Sequence, residues 1–466
     1  MNVASYGFLM VYLPAVLIVF RRLKGTAGQV FLVLAGLLFC GWDAPWSLAV
    51  LLAEGALTYA LGTKMGRPGS HDKLLMGAGC AVVLGALVLF KYTAAGQNFS
   101  ALAPLGLSFF SFQQLFWLRD RYTGQTQAVS PLNYAACVTY FPLATSGPII
   151  RVGELAPQLS APAGFSWEDM ASGLWCFSLG LFKKVFLAGL FAGGADWGFP
   201  LAGALAPADA FLVSLCYTLQ IYFDFSGYCD MAWGMARMMG VELPVNFDSP
   251  YRASSIAGFW KRWHITLSRF FTHCVYIPLG GSRRGMAVTC RNIMIVFLLS
   301  GLWHGAGTGF LVWGALHGGA MVLERLCRDK VRLPRPLGWL ITFLFVNAAW
   351  VFFRAEGLSQ ALALLGDMLG NSWALPSPEL ARALLLPEFE ALDALAQWTG
   401  AGGGLFGYWL PLLSLPMGVA LLALPNPVRQ ARDFRPSGWK TLAAAAMLVW
   451  SVISLSGVDT FIYANF

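Results

Sequence analysis

The chain has 466 residues, 57% of them hydrophobic and only 12% charged, with a mean hydropathy of +0.62. A water-soluble protein of this length needs far more charge to cover its surface, so the composition excludes a soluble globular enzyme. The net charge of +8 sits mostly in loops between apolar blocks, as cytoplasmic loops facing an anionic leaflet would have it, and requires no nucleic acid.

The apolar blocks are long and show no period of two or of three to four, which predicts transmembrane helices. The first, residues 6–20, has no basic residue before it and is followed by Arg21, Arg22 and Lys24. That order is the reverse of a secretory signal and predicts a retained first helix with its N-terminus outside. Further blocks run over 31–42, 46–61, 74–90 and 102–118, with basic residues after alternate blocks at Lys64, Arg67 and Lys73, then Arg119 and Arg121. Residues 134–150 are apolar but broken by Pro142, Gly147 and Pro148. They predict a re-entrant segment, which needs protein or a water-filled cavity around it.

Spans are expected at 173–191, interrupted by Lys183 and Lys184, and at 211–225. Residues 255–281 mix Lys261, Arg262 and Arg269 with Phe259, Trp260, Trp263, Phe270 and Phe271, and read as an amphipathic stretch that lies at the membrane interface or dips partway in. Spans resume at 288–303, 309–323 and 337–353, with the basic run Arg325, Arg328, Lys330, Arg332 and Arg335 marking a cytoplasmic loop. Residues 354–404 carry Glu356, Asp367, Glu379, Glu388, Glu390 and Asp393 and read as an extramembrane or interfacial insert. Blocks at 410–424 and 442–455 flank Arg429, Arg432, Arg435 and Lys440. The expected fold is an all-α integral membrane protein of about eleven spans plus re-entrant or interfacial pieces. No internal repeat is visible, and residues 1–466 read as one domain.

Chemistry concentrates on the histidines. Of His71, His264, His273, His304 and His317, four fall in one stretch. An imidazole in apolar sequence is either packed against a partner or engaged in proton chemistry. His304 closes an apolar span in Gly301-Leu302-Trp303-His304-Gly305, where the glycines admit close approach. Its alternative reading is a packed histidine bonded to a carbonyl. His264, in Trp260-Lys261-Arg262-Trp263-His264, is alternatively a cationic and aromatic interface anchor. His317 reads as packing or support. Asp224 and Asp230, set among aromatic residues, need partners. They orient a histidine or pair with Lys183, Lys184 or Arg262, and structural ion pairs are the favoured reading. Nine scattered cysteines form no CxxC pair and no zinc-like Cys/His spacing, so no metal is expected.

The ordered segments PLGLSFFSFQ, FPLATSGPIIR, QIYFDFSGYCDMAWGMARMMG, NFDSPY, FWKRWHITLSRFF, YIPLGG, LWHGAG, WGALHG and WVFFRAE together resemble the membrane-bound O-acyltransferase superfamily. The similarity is to its bacterial branch that includes the membrane component of alginate O-acetylation. It spans residues 104–356, which would form the catalytic core, and the aromatic terminus at 461–466 is also similar to that branch. The resemblance implies helices around a central catalytic tunnel. It also implies acyl transfer, most simply of acetyl, from a cytoplasmic thioester such as acetyl-CoA to a hydroxyl, with no bound cofactor.

The implied setting is a bacterial inner membrane, with an exported or cell-surface polysaccharide as acceptor, reached through a periplasmic partner acyltransferase. The insert at 354–404 is the expected partner contact. Carried over by position, His304 is catalytic, His264 is the second polar site residue, and His317 belongs to the same bacterial pattern. Trp303, Trp263, Arg262, Asp224 and Asp230 are expected to support them. His264, Trp303 or a backbone N–H near Gly305 are the candidate donors to the oxyanion. The sequence departs from that branch at Thr272-His273, where an Arg-Asp pair is usual. D-alanyl transfer to teichoic acid is the alternative within the same fold. A proton-coupled transporter is a further reading, disfavoured because paired repeats are missing.

Overall fold

The computed structural model describes residues 1–43, 45–93, 106–162, 164–327, 333–399 and 405–457. The start of the 102–118 block, the basic residues Arg328, Lys330 and Arg332, the end of the insert at 400–404 and the terminus at 461–466 lie outside them.

Every regular element among the described residues is helical. Four stretches are long and apolar enough to cross a membrane: Asp72–Tyr92, Trp167–Leu201, Met286–His304 and Arg335–Arg354. Gly25–Gly41 and Gly438–Ile453 are shorter apolar helices. The 134–150 block is broken, as its prolines predict. It forms a short helix Pro131–Val138, a 3-10 turn Phe141–Leu143 and a buried extended stretch before the helix Val152–Ser160.

The middle of the molecule is the 32-residue helix Pro207–Met238, twice the length of the span expected at 211–225. Nearly all of its residues are buried, on every face, which is how a helix enclosed by other helices presents itself. It packs against Trp167–Phe182 through small residues. A Cβ added at Gly173 would stand 2.7 Å from the Gly234 carbonyl oxygen, and one at Gly180 would stand 2.6 Å from that of Gly227. In lipid, where apolar burial cannot drive association, such close backbone approach is what holds helices together. Lys183–Leu187 forms a π-turn in the partner helix, and both consecutive lysines are buried there. Lys183 Nζ lies 2.7 Å from Asp230 Oδ2 and Lys184 Nζ 2.5 Å from Asp224 Oδ1. On the other side, Thr218 donates to Asn347 Oδ1 and Asn347 Nδ2 donates to Ser214 Oγ, each at 2.7 Å. These bonds fix the helix Arg335–Arg354 against the central one.

The 255–281 stretch is not one continuous amphipathic helix. It forms the short helices Ile256–Trp260 and Ile265–Phe271, with Trp260, Trp263, His264, Phe270 and Phe271 all buried and Lys261 exposed. Its aromatic side chains fill the protein interior, while Arg262 and Arg269, half-buried, pair with Asp248 and Glu154. Two acids of the 354–404 insert hold backbone N–H groups. Asp367 Oδ2 accepts from Gly203 N at 2.7 Å, and Asp393 Oδ1 accepts from Gly407 N at 3.2 Å. Beside Glu356, Glu379 and Glu390 the insert also exposes large apolar residues, among them Leu369, Trp373 and Trp398.

Candidate active site

His264 is delivered by a backbone pairing that no local pattern announces. Asp248 N–H donates to Arg262 O and Ile265 N–H donates to Asn246 O, both at 2.9 Å, so residues 246–248 lie alongside 262–265. Between them His264 takes φ 44°, ψ 54° at the start of Ile265–Phe271. This left-handed conformation is uncommon for a residue with a Cβ, and such strain tends to mark functional sites. The ring is buried, with Phe225 edge-on at 4.8 Å and Phe109 stacked at 6.2 Å between centroids.

His304 is the last residue of Met286–His304 and is also buried. The glycines beside it admit a neighbouring helix. A Cβ on Gly301 would lie 2.3 Å from the Phe310 carbonyl oxygen, and one on Gly305 would lie 2.3 Å from the Phe310 ring. The imidazole therefore packs among Trp303 at 4.6 Å, Phe353 at 4.9 Å and Trp313 at 5.2 Å.

The three buried histidines share a row of rings. Trp303 contacts both His264, at 6.4 Å, and His304. Trp313 contacts both His304 and, at 5.0 Å, His317. Trp260 donates its indole N–H to His317 Nδ1 at 3.2 Å. An indole can only donate, so His317 carries its own hydrogen on Nε2.

Several polar atoms in this row are buried and have no hydrogen-bond partner among the described residues: Trp303 Nε1, Trp313 Nε1, His264 Nε2 and His317 Nε2. Interiors rarely leave such groups unmet, so a set of them in one place makes this row the candidate site. A cavity of about 720 Å³ lies next to the row. It is lined by Trp260, Phe297 and Ser300 on its buried side and by Lys261 and Arg325 where it is exposed. His304 does not line it, but Ser300 lies about one helical turn before His304.

The remaining expected residues divide. Trp263 is buried against Phe247 at 4.9 Å and Trp350 at 5.0 Å, and so supports the wall behind His264. Asp224 and Asp230 face Lys184 and Lys183, not a histidine. Arg262 is half-exposed, 3.6 Å from Asp248 Oδ2 and turned to the surface, because its backbone is held in the 246–248 pairing. Thr272 donates to Ser268 O, and His273 O accepts from Arg119 Nε at 3.0 Å, which places the departing pair beside Arg119, Asp120 and Arg151.

Sequence reasoning missed Asn246, Trp313 and Lys91. Lys91, at the end of Asp72–Tyr92, donates to the Trp303 carbonyl at the C-terminal turn that carries His304, where a cation is favoured. Its isolation as the one basic residue after an apolar block was the available signal. Asn246 gave none beyond its motif.

Buried imidazoles, indole donors without a partner among the described residues and a cavity beside them are what a membrane-embedded transferase acting on a hydroxyl would use. The membrane-bound O-acyltransferase family matches residues 48–362, and the chain belongs to it. A peptidoglycan O-acetyltransferase of Helicobacter pylori is 38% identical over 390 residues, 73% of this chain and 74% of that protein. A probable alginate O-acetylase of Pseudomonas aeruginosa is 36% identical over 410 residues, 82% of this chain and 77% of its own length. A teichoic acid D-alanyltransferase of Bacillus subtilis is 25% identical over 271 residues, 54% of this chain and 69% of its own. The protein is an O-acyltransferase of the branch that holds the alginate O-acetylases.

Proposed function

We propose that the enzyme takes an acyl group, acetyl in the first instance, from a cytoplasmic thioester and transfers it for O-acetylation of an exported or cell-surface polysaccharide. The observation that carries this reading is the row His264–Trp303–His304–Trp313–His317, buried and holding unpartnered donors and an acceptor. The relatives named for O-acetylation support acetyl over D-alanyl, since they are more similar over more of the chain. About eleven spans around a central tunnel, in a bacterial inner membrane, are the setting that reading needs.

A sugar hydroxyl is a poor nucleophile near neutral pH. An imidazole within about 3 Å takes its proton as the oxygen attacks the thioester carbonyl. The new C–O bond forms, the C–S bond breaks, and the departing sulfur takes a proton back. His304 is the catalytic histidine in this reading. The indole N–H groups of Trp303 and Trp313 suit the carbonyl oxygen as it gains charge. The apolar walls keep water from the thioester. Lys261 and Arg325 at the exposed part of the cavity suit the phosphates of a donor such as acetyl-CoA. A periplasmic partner acyltransferase completes delivery to the polymer, and the exposed Trp373 and Trp398 of the insert are its proposed contact.

The test is the ester content of surface polysaccharide in cells carrying wild-type, His304→Ala or His264→Ala protein at matched membrane levels. Loss of ester in His304→Ala supports the assignment. Full ester in that variant removes His304 from the chemistry.

A further inference from the structure

The hydrogen bonds around His264 determine which of its nitrogens carries the hydrogen. Asn246 Oδ1 accepts from Thr266 N at 3.2 Å and from the Thr266 hydroxyl at 2.8 Å. A backbone N–H can only donate, so the Asn246 atom facing it is the amide oxygen. The opposite end agrees, since Asn246 Nδ2 donates to Cys229 Sγ at 3.2 Å. The Thr266 hydroxyl is committed as well. It accepts from Ile149 N at 3.0 Å, leaving its one hydrogen for Asn246.

His264 Nδ1 lies 3.2 Å from that same amide oxygen. An oxygen with no hydrogen cannot donate, so Nδ1 must. In a neutral ring the lone pair is then on Nε2. Nε2 is buried and meets no partner among the described residues. Asn246 also holds the backbone of the site, its carbonyl accepting from Ile265 N beside the left-handed His264.

We propose that Asn246 is a positioning residue that holds His264 as the Nδ1–H tautomer, so that Nε2 accepts from a neighbouring hydroxyl of the substrate and does not bind the carbonyl oxygen, leaving the attacking hydroxyl's proton to His304. His317, whose Nδ1 accepts from Trp260, is the opposite tautomer. The site therefore contains one imidazole that accepts and one that donates, each fixed by a single neighbour. The role toward a hydroxyl rests on the acyl-transfer reading above, whereas the tautomer does not.

The first arm of the test is nitrogen NMR on full-length protein labelled with ¹⁵N-histidine, in bilayers at mildly alkaline pH, with a His264→Ala sample to assign the signal. A hydrogen on Nδ1 and a bare Nε2 are expected. A hydrogen on Nε2 overturns the proposal. The second arm is transfer kinetics. Asn246→Asp keeps an acceptor facing Nδ1 and Thr266, and should retain most of kcat. Asn246→Leu, of similar size with no acceptor, should lose at least about tenfold in kcat with little change in donor KM. Full kcat in Asn246→Leu, or equal loss in both variants, overturns the positioning role. Wild-type protein that shows the tautomer but transfers no acyl group removes the hydroxyl role and leaves the tautomer standing.

Discussion

The indole of Trp313 stands edge-on to the imidazole of His304, their centroids 5.2 Å apart and their planes at 87°. Trp313 is fully buried, yet its N–H has no hydrogen-bond partner among the described residues. A structural tryptophan in an apolar interior normally finds an acceptor for that group. Together with Trp303 on the other contact of His304, it gives the site a pair of rigid donors whose positions are set by packing.

Trp313→Phe keeps most of the ring and its contacts with Trp350 and Phe353 while removing the N–H. Loss of one oxyanion donor costs on the order of 10²–10³ in kcat. The variant should therefore reach the membrane at the wild-type level and transfer acyl groups that much more slowly. Wild-type rates in Trp313→Phe would make the residue packing only.

The ion pair of Lys183 with Asp230 sets a second expectation. Both groups are buried against the central helix, with 2.7 Å between them. Removing one partner leaves an uncompensated charge and should cost about 3–5 kcal/mol, whereas replacing both with apolar residues is often near neutral. Asp230→Leu should lower the melting temperature in detergent sharply. Lys183→Met with Asp230→Leu should recover most of it. A double variant as unstable as the single one would mean that the pair has further work to do.

What was legible in the sequence followed the physics of single segments. Apolar blocks long enough to span, the break at Pro142 and Pro148, and histidines ending or interrupting such blocks are local patterns, and the structure carries elements at each. The extent of Pro207–Met238 was not legible, because its C-terminal half is almost wholly buried while carrying Asp224 and Asp230. Hydropathy counts those charges as an exit from the membrane when they are answered by lysines on a neighbouring helix. Asn246 and Lys91 were illegible for a related reason. Each acts on a histidine-bearing segment that it meets only through the fold, Lys91 across 212 positions of chain. That the aromatics of 255–281 pack inward was not legible, because alternating cations and aromatics have the same composition whether the aromatics face lipid or the protein interior.

His273, which stands where the related branch has an acid, gives a pH expectation outside the membrane-spanning helices. Burial, then the guanidinium groups of Arg151, Arg119 and Arg269, hold its imidazole below the ordinary histidine range. The unfolded chain takes up this proton near the usual value of about 6.5, before the folded protein does. In that window the unfolded state binds more protons, so stability falls as pH drops. His273→Gln should reduce the fall in melting temperature between about pH 7.5 and pH 5.5. An unchanged fall would assign it to other groups.

A close backbone contact of the central helix supplies the last expectation. A Cβ at Gly180 would lie 2.6 Å from Gly227 O and 2.6 Å from Met231 N, and a Cβ at Gly227 would lie 2.7 Å from Gly180 O. Backbone atoms cannot rotate away as a side chain can, so either Gly→Ala change must push the helices apart. Each single variant should lose about 1–3 kcal/mol. Because the first alanine already opens the crossing, the second meets a relaxed contact, and the double variant should lose less than the two single losses added together. Gly189→Ala, with nothing within 4 Å of its added methyl, is the matched control and should melt no lower than the wild type. Strictly additive losses would show that the two glycines are strained independently, and wild-type melting in Gly180→Ala would show that the helices do not cross this closely.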